Sequence, residues 1–174
     1  MVVIDTNVLL IANRSHNAVS PKCVAECAER LQQIKVAGVV VIDSGWRILG
    51  EYAQKTRPNQ PKGAGDVFLK WLLQNRTNRQ RVHQVTITEV PKTAQFAEFP
   101  DQALQAEFDP ADRKFAAVAN AHADRPPILQ AGDCKWVDWS ERLALAGVRV
   151  EFLCKEDVCR FYLAKFPDKQ APTL

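Results

Sequence analysis

The sequence predicts an α/β fold, a three-layer α/β/α sandwich with a central, mostly parallel sheet, built as one domain over residues 1–174. Three observations predict it. Residues 2–4 and 39–42 are continuous apolar runs and residues 128–131 are a strand of the same buried type, the pattern of strands covered on both faces rather than on one. Segments of helical periodicity separate these runs, and that alternation is the mark of parallel strands joined through crossover helices. The chain has 174 residues of which 47% are hydrophobic, enough apolar material for one core.

In chain order, residues 2–4 end at Asp5, and the following Thr6-Asn7-Val8-Leu9-Leu10-Ile11 has helical spacing with Thr6 and Asn7 fit to cap it. Ser20 before Pro21 opens a second helix that carries Val24, Cys27, Ala28, Leu31 and Ile34 on one face and stops near Gly38. After the strand at 39–42, Asp43, Ser44 and Gly45 lead into a helix bearing Trp46, Ile48, Leu49, Glu51 and Tyr52. Residues 56–65, with two prolines and two glycines, read as a loop. Asp66 then caps a helix whose stripe is Phe68, Leu69, Leu72 and Leu73, and this assigns Trp71 to the core.

Residues 82–87 alternate and are less apolar, which predicts a strand at a sheet edge. Asp109-Pro110 opens an alanine-rich helix extending to Ala123, and the strand at 128–131 ends in Gly132-Asp133. A helix over 136–146, a last strand over 148–153 and a helix over 157–165 complete the pattern.

Charge is unevenly distributed. Residues 55–92 hold eight Lys/Arg against two acids, whereas residues 93–112 hold five acids and no base. A basic surface made from Arg57, Lys62, Arg76, Arg79 and Arg81 would bind the phosphates of a nucleic acid; a solvated surface is the plainer reading of the same cluster. No run of 18 apolar residues exists, and an acid stands at position 5 where a signal peptide would carry bases, so the sequence predicts a soluble, cytoplasmic chain with no membrane partner. The five cysteines are odd in number and fit no zinc-finger or ribbon spacing, which predicts buried free thiols. His16, His83 and His122 lie far apart in sequence, and no phosphate-binding loop, dinucleotide fingerprint or serine elbow is present.

Four acids remain. Asp5 and Asp133 each follow a buried-type strand, and ligands of open parallel sheets bind beyond the carboxyl ends of strands. Asp5 reads equally well as a helix cap, and Asp133 as a turn residue. Asp112 shares a helical stripe with Ala116, Ala119 and Ala123, while Glu51 sits beside apolar residues, where a carboxylate needs a cation, a metal or a donor. Asp43 and Asp109 are explained by capping alone.

Together, Asp5-Thr6-Asn7-Val8-Leu9-Leu10, a Glu in the helix after the second strand, an Asp opening Asp112-Arg113-Lys114-Phe115-Ala116-Ala117 and a strand ending in an acid resemble the PIN domain over residues 1–153. The resemblance implies a PIN-like sandwich and an Mg²⁺- or Mn²⁺-dependent endoribonuclease, often the toxin of a toxin–antitoxin pair, with RNA as substrate and with an antitoxin and a homodimer as partners. It assigns Asp5, Glu51, Asp112 and Asp133 as catalytic and metal-binding residues and Asn7 as an accessory one. Lys135 stands where such domains often carry a further acid, and Asp138 is the available substitute; one metal is therefore expected rather than two. A catalytically inactive PIN-like module that binds RNA or protein is the alternative. A haloacid-dehalogenase-type phosphatase would need an acid where Asn7 stands.

Overall fold

The computed structural model describes residues 1–16 and 18–174. In chain order its elements are β1 (Val3–Ile4), α1 (Thr6–Ala12), α2 (Pro21–Ala37), β2 (Val40–Asp43), α3 (Arg47–Lys55), α4 (Ala64–Asn75) and β3 (Val82–Val85). The second half adds β4 (Glu89–Val90), β5 (Gln95–Phe96), α5 (Gln102–Glu107), α6 (Arg113–Ala121), β6 (Ile128–Gln130), α7 (Lys135–Leu145), β7 (Val150–Phe152) and α8 (Lys155–Lys165).

The class is mixed α/β, and its main strands pair in parallel. β6 lies between β1 and β7, with Val3 opposite Ile128 and Ile128 opposite Val150. β2 pairs with β3 from Val40–Val82 to Asp43–Val85. A parallel bridge between Val2 and Val40 joins the two sheets, and the Val41 N–H donates to the Val2 carbonyl at 2.8 Å. All of β1, β2 and β6 is buried, the polar Asp43 and Gln130 at the ends of β2 and β6 included, as expected of strands covered on both faces. β3 pairs with β2 alone among the described residues, which is the edge position its alternation predicts.

Local chemistry sets the helix boundaries. Ser20 accepts a hydrogen bond from the Cys23 N–H and Pro21 occupies the first turn of α2, while Cys23, Cys27, Leu31 and Ile34 form its buried stripe. α1, α2 and α4 pack on one another. A Cβ on Gly65 would lie 2.2 Å from the Leu9 carbonyl oxygen, so glycine permits α4 to approach α1 this closely. On α3, the buried Tyr52 hydroxyl donates to the Ile4 carbonyl and ties that helix to β1.

Several expectations are corrected. Asp66 does not cap α4, which begins two residues earlier at Ala64; its buried carboxylate accepts from the Arg57 and Lys62 N–H groups and from the Asn13 amide, and so organises the preceding loop. α6 ends at Ala121, leaving Ala123 exposed and outside the stripe. Trp46 lies just before α3 in a left-handed conformation with φ 64° and is exposed. The antiparallel β4–β5 hairpin and α5 were not anticipated. Its strands are two residues each, too short for periodicity to register, and the turn between them places Lys92 and Ala94 at positive φ without a glycine to announce it.

The cysteines are not all free thiols. Cys23 and Cys154 form a disulfide across 131 residues, leaving Cys27 and Cys134 buried and free and Cys159 half-buried and free. Sequence distance concealed the pair, since nothing local to Cys23 indicates that the β7–α8 junction lies against α2.

Candidate functional site

Asp5 follows β1 and is almost fully buried. Its Oδ1 accepts the Asn7 N–H at 2.8 Å, which is the capping bond that one reading of its position predicts. Asp133 follows β6 in the same way, where its Oδ1 accepts the Lys135 N–H at 2.9 Å. Asp112 immediately precedes α6 but makes no capping bond, and among the described residues its carboxylate has no hydrogen-bond partner at all. Glu51 projects from α3 and is well partnered, accepting from the Thr6 hydroxyl at 2.7 Å, from Lys55 at 2.9 Å and from Lys114 at 2.5 Å.

The four acids act on one another. Burial pushes the Asp5 carboxyl well above its ordinary value; Asp112 pushes it further, and Glu51 and Asp133 add to the effect, against the Asn7 N–H that opposes it. For Asp112, burial followed by repulsion from Asp133 and Asp109 raises the carboxyl to about 6, although Lys114 and Lys135 pull the other way. Glu51 behaves oppositely. Burial would raise it, but hydrogen bonds from Lys114, Thr6 and Lys55 outweigh burial and hold it below the usual value.

Two lysines therefore stand among the acids. Lys114, on α6 and largely buried, bonds Glu51, while Lys135 lies 2.6 Å from Asp109 and 3.6 Å from Asp133. Lys114 and Thr6 are the site residues that the sequence reading missed. Lys114 lies two positions after Asp112 in the same first turn, so a lysine that close to a buried acid was the available signal. Among the described residues, no three of these carboxylates have oxygens all within 4.8 Å of one another; the group that meets this spacing is Cys23, Cys27 and Cys154.

The remaining candidates separate. Asp138 does not join the acids: its carboxylate accepts from Tyr162 and, at 2.9 Å, from Lys169. Asp43 caps α3 by accepting from the Arg47 and Ile48 N–H groups, and Asp109 accepts from the Ala111 N–H. No polar contact of the Asn7 side chain is seen among the described residues, though its backbone N–H serves Asp5.

The proposed basic surface is likewise divided. Lys62 precedes α4 and Arg76 follows it, about 18 Å apart along a 12-residue helix. Arg57 is exposed near Lys62, whereas Arg76 and Arg79 line a separate cavity of about 660 Å³ with His83 and His122. Those two histidines, remote in sequence, meet at 2.9 Å. Arg81 is committed to the fold: it donates to the carbonyls of Ile34, Lys35 and Val36 at the end of α2 and lies over the half-buried Trp71 ring.

The donor set is chemically suited to a hard divalent cation, being all carboxylate oxygen, and Asp112 in particular is a half-buried carboxylate with no partner. Compared with family models, with curated proteins and with solved structures, the chain matches none of them.

Proposed function

We propose that this chain is a divalent-metal-dependent ribonuclease of the PIN type, hydrolysing RNA phosphodiester bonds at the cluster of Asp5, Glu51, Asp112 and Asp133. The observation that carries the reading is the unpartnered Asp112 carboxylate beside Asp5 and Asp133, with the Asp5 carboxyl raised by burial and by Asp112, and the Asp112 carboxyl by burial and by Asp133. Such an arrangement is unfavourable at neutral pH until a cation enters. The parallel order β3-β2-β1-β6-β7, read through the Val2–Val40 bridge, supports the PIN-like sandwich that accompanies the proposal.

Asp5, Asp112 and Asp133 would hold Mg²⁺ or Mn²⁺. When bound, the ion supplies Lewis acidity toward the phosphoryl oxygens and makes water a better nucleophile. Glu51, held below its usual pKa by Lys114, is a poor proton acceptor, and its role is to orient water. The Lys114 ammonium offers positive charge to a phosphate entering beside Glu51. Arg76 and Arg79 are the residues assigned to the RNA backbone. A small antitoxin and a homodimer as partners rest on the family resemblance alone.

A second reading, an inactive module that binds RNA or protein, is favoured by Lys114 and Lys135, which already neutralise Glu51 and Asp133. Incubation of the purified chain with single-stranded RNA and Mn²⁺, with EDTA and Asp5→Asn as controls, tests the nuclease. Cleavage that persists in either control removes the carboxylate–metal mechanism. Calorimetric titration separates the two readings, because absence of Mn²⁺ binding up to millimolar concentration leaves the inactive module.

A further inference from the structure

The three sulfurs of Cys23, Cys27 and Cys154 converge where α2 meets the β7–α8 junction. Cys23 and Cys27 lie four residues apart on α2 and share its buried face, and Cys154 stands at the start of α8. All three Sγ atoms lie within 4.8 Å of one another. Cys23 and Cys154 are joined as a disulfide, and the Cys27 Sγ is 3.7 Å from the Cys154 Sγ.

We propose that the reduced chain uses Cys23, Cys27 and Cys154 as a three-thiolate site for a thiophilic divalent ion such as Zn²⁺, which the disulfide closes when the chain is oxidised. In a tetrahedral site with metal–sulfur bonds of about 2.3 Å, neighbouring sulfurs stand about 3.8 Å apart. The Cys27–Cys154 separation already has this value. Once the Cys23–Cys154 bond opens, the Cys23 side chain rotates on α2 until its sulfur reaches the same spacing.

A plain structural disulfide accounts for two of the sulfurs but not for the third. Cys27 is fully buried and makes no covalent bond, yet it is aimed at Cys154. Beside the cluster is an open cavity of about 190 Å³ lined by Ser20, Cys23, Glu26, Cys154 and Asp157. Asp157 is engaged by Ser20 and Arg160, so Glu26 or a water from the cavity fills the fourth position. Sulfur ligands select a soft or borderline ion over Mg²⁺ or Mn²⁺, which keeps this site chemically distinct from the carboxylates.

The conversion balances with a dithiol as reductant. The dithiol passes two electrons and two protons to the Cys23–Cys154 bond and closes into its own disulfide, leaving two new thiols. Binding of the ion then releases three protons to solvent as three metal–sulfur bonds form, and the resulting unit carries one negative charge with water in the fourth position or two with the Glu26 carboxylate there, with Lys22 at the cavity wall. In either state α2 remains tied to the β7–α8 junction, by a covalent bond in one and by the ion in the other.

The test uses the full chain reduced with a trialkylphosphine and desalted without oxygen, then titrated with Cd²⁺, whose thiolate complexes absorb in the ultraviolet. One equivalent should saturate a charge-transfer band in the reduced protein, Zn²⁺ should compete for it, and the oxidised protein should show none. Cys27→Ser should lower affinity by at least about tenfold, the lower end of what loss of even an outer partner costs. Cys134→Ser and Asp5→Asn should bind as the parent does. Absence of the band in the reduced chain overturns the proposal, whether the chain stays folded by circular dichroism or unfolds and is not restored by Cd²⁺. So does a Cys27→Ser variant that binds with parental affinity and intensity.

Discussion

Lys114 Nζ lies 2.5 Å from Glu51 Oε2, joining α6 to α3 across the acidic site. The contact sets Glu51 apart from Asp5 and Asp112. Glu51 is stabilised as a carboxylate, whereas Asp5 and Asp112 bear the cost of burial and repulsion.

Replacing Lys114 with Met should therefore destabilise the protein by about 2 kcal/mol at neutral pH, because Glu51 loses a charge-assisted hydrogen bond while staying mostly buried. The pH dependence has a definite sign. A carboxyl lowered by folding contributes stability above its ordinary pKa and loses it as pH falls through the folded value; Lys114→Met should abolish part of that acid-side loss. Urea denaturation at neutral and acid pH measures it, and an unchanged pH profile would show that the ion pair is solvated in solution.

Asp112→Asn should do the reverse. Its carboxyl is raised to about 6, so in the cation-free protein the ionised form disfavours folding above that pH and stability rises as pH falls through it. The variant should be more stable than the parent at pH 7 by about 1–2 kcal/mol, a figure already discounted for the residue's partial exposure. It should also lose most of any Mn²⁺-induced rise in melting temperature. A variant less stable than its parent without metal contradicts this account of the site.

Lys135 competes with a cation for Asp133 and Asp109. Lys135→Ala should tighten Mn²⁺ binding by about tenfold, equivalent to about 1.4 kcal/mol. Calorimetry provides the comparison, and weaker binding in the variant would mean that Lys135 organises the carboxylates rather than opposing a cation.

Arg79 and Arg81, two residues apart, should differ in kind. Arg81→Ala removes donors from three carbonyls at the end of α2 and should cost about 1–2 kcal/mol of stability, with the salt slope of RNA binding unchanged. Arg79→Ala should leave stability within about 0.5 kcal/mol and make the salt dependence of RNA binding shallower. Identical behaviour of the two variants would refute the division.

Local signals carried much of the fold. Pro21 after Ser20, the apolar stripe of α2, the continuous run at 39–42 and the turn at Gly132-Asp133 each act within one or two helical turns, and each lies where its chemistry predicts. Asp43 as the cap of α3 was legible for the same reason. The β4–β5 hairpin was not, because its strands are too short to show a period, and the start of α4 was misread because Asp66 accepts from the loop before it rather than from its own helix.

The sequence by itself determined the α/β class, the buried parallel strands and the positions of Asp5 and Asp133 just beyond strand ends, since periodicity and capping depend on neighbours in the chain. Only the tertiary structure decided which charges meet. Lys114 on Glu51, Lys135 between Asp109 and Asp133, Arg81 on the end of α2 and the convergence of Cys23, Cys27 and Cys154 all depend on packing between elements. Electrostatic and covalent pairing act over a few ångströms in space, and a sequence separation of 131 residues between Cys23 and Cys154 holds no trace of that distance.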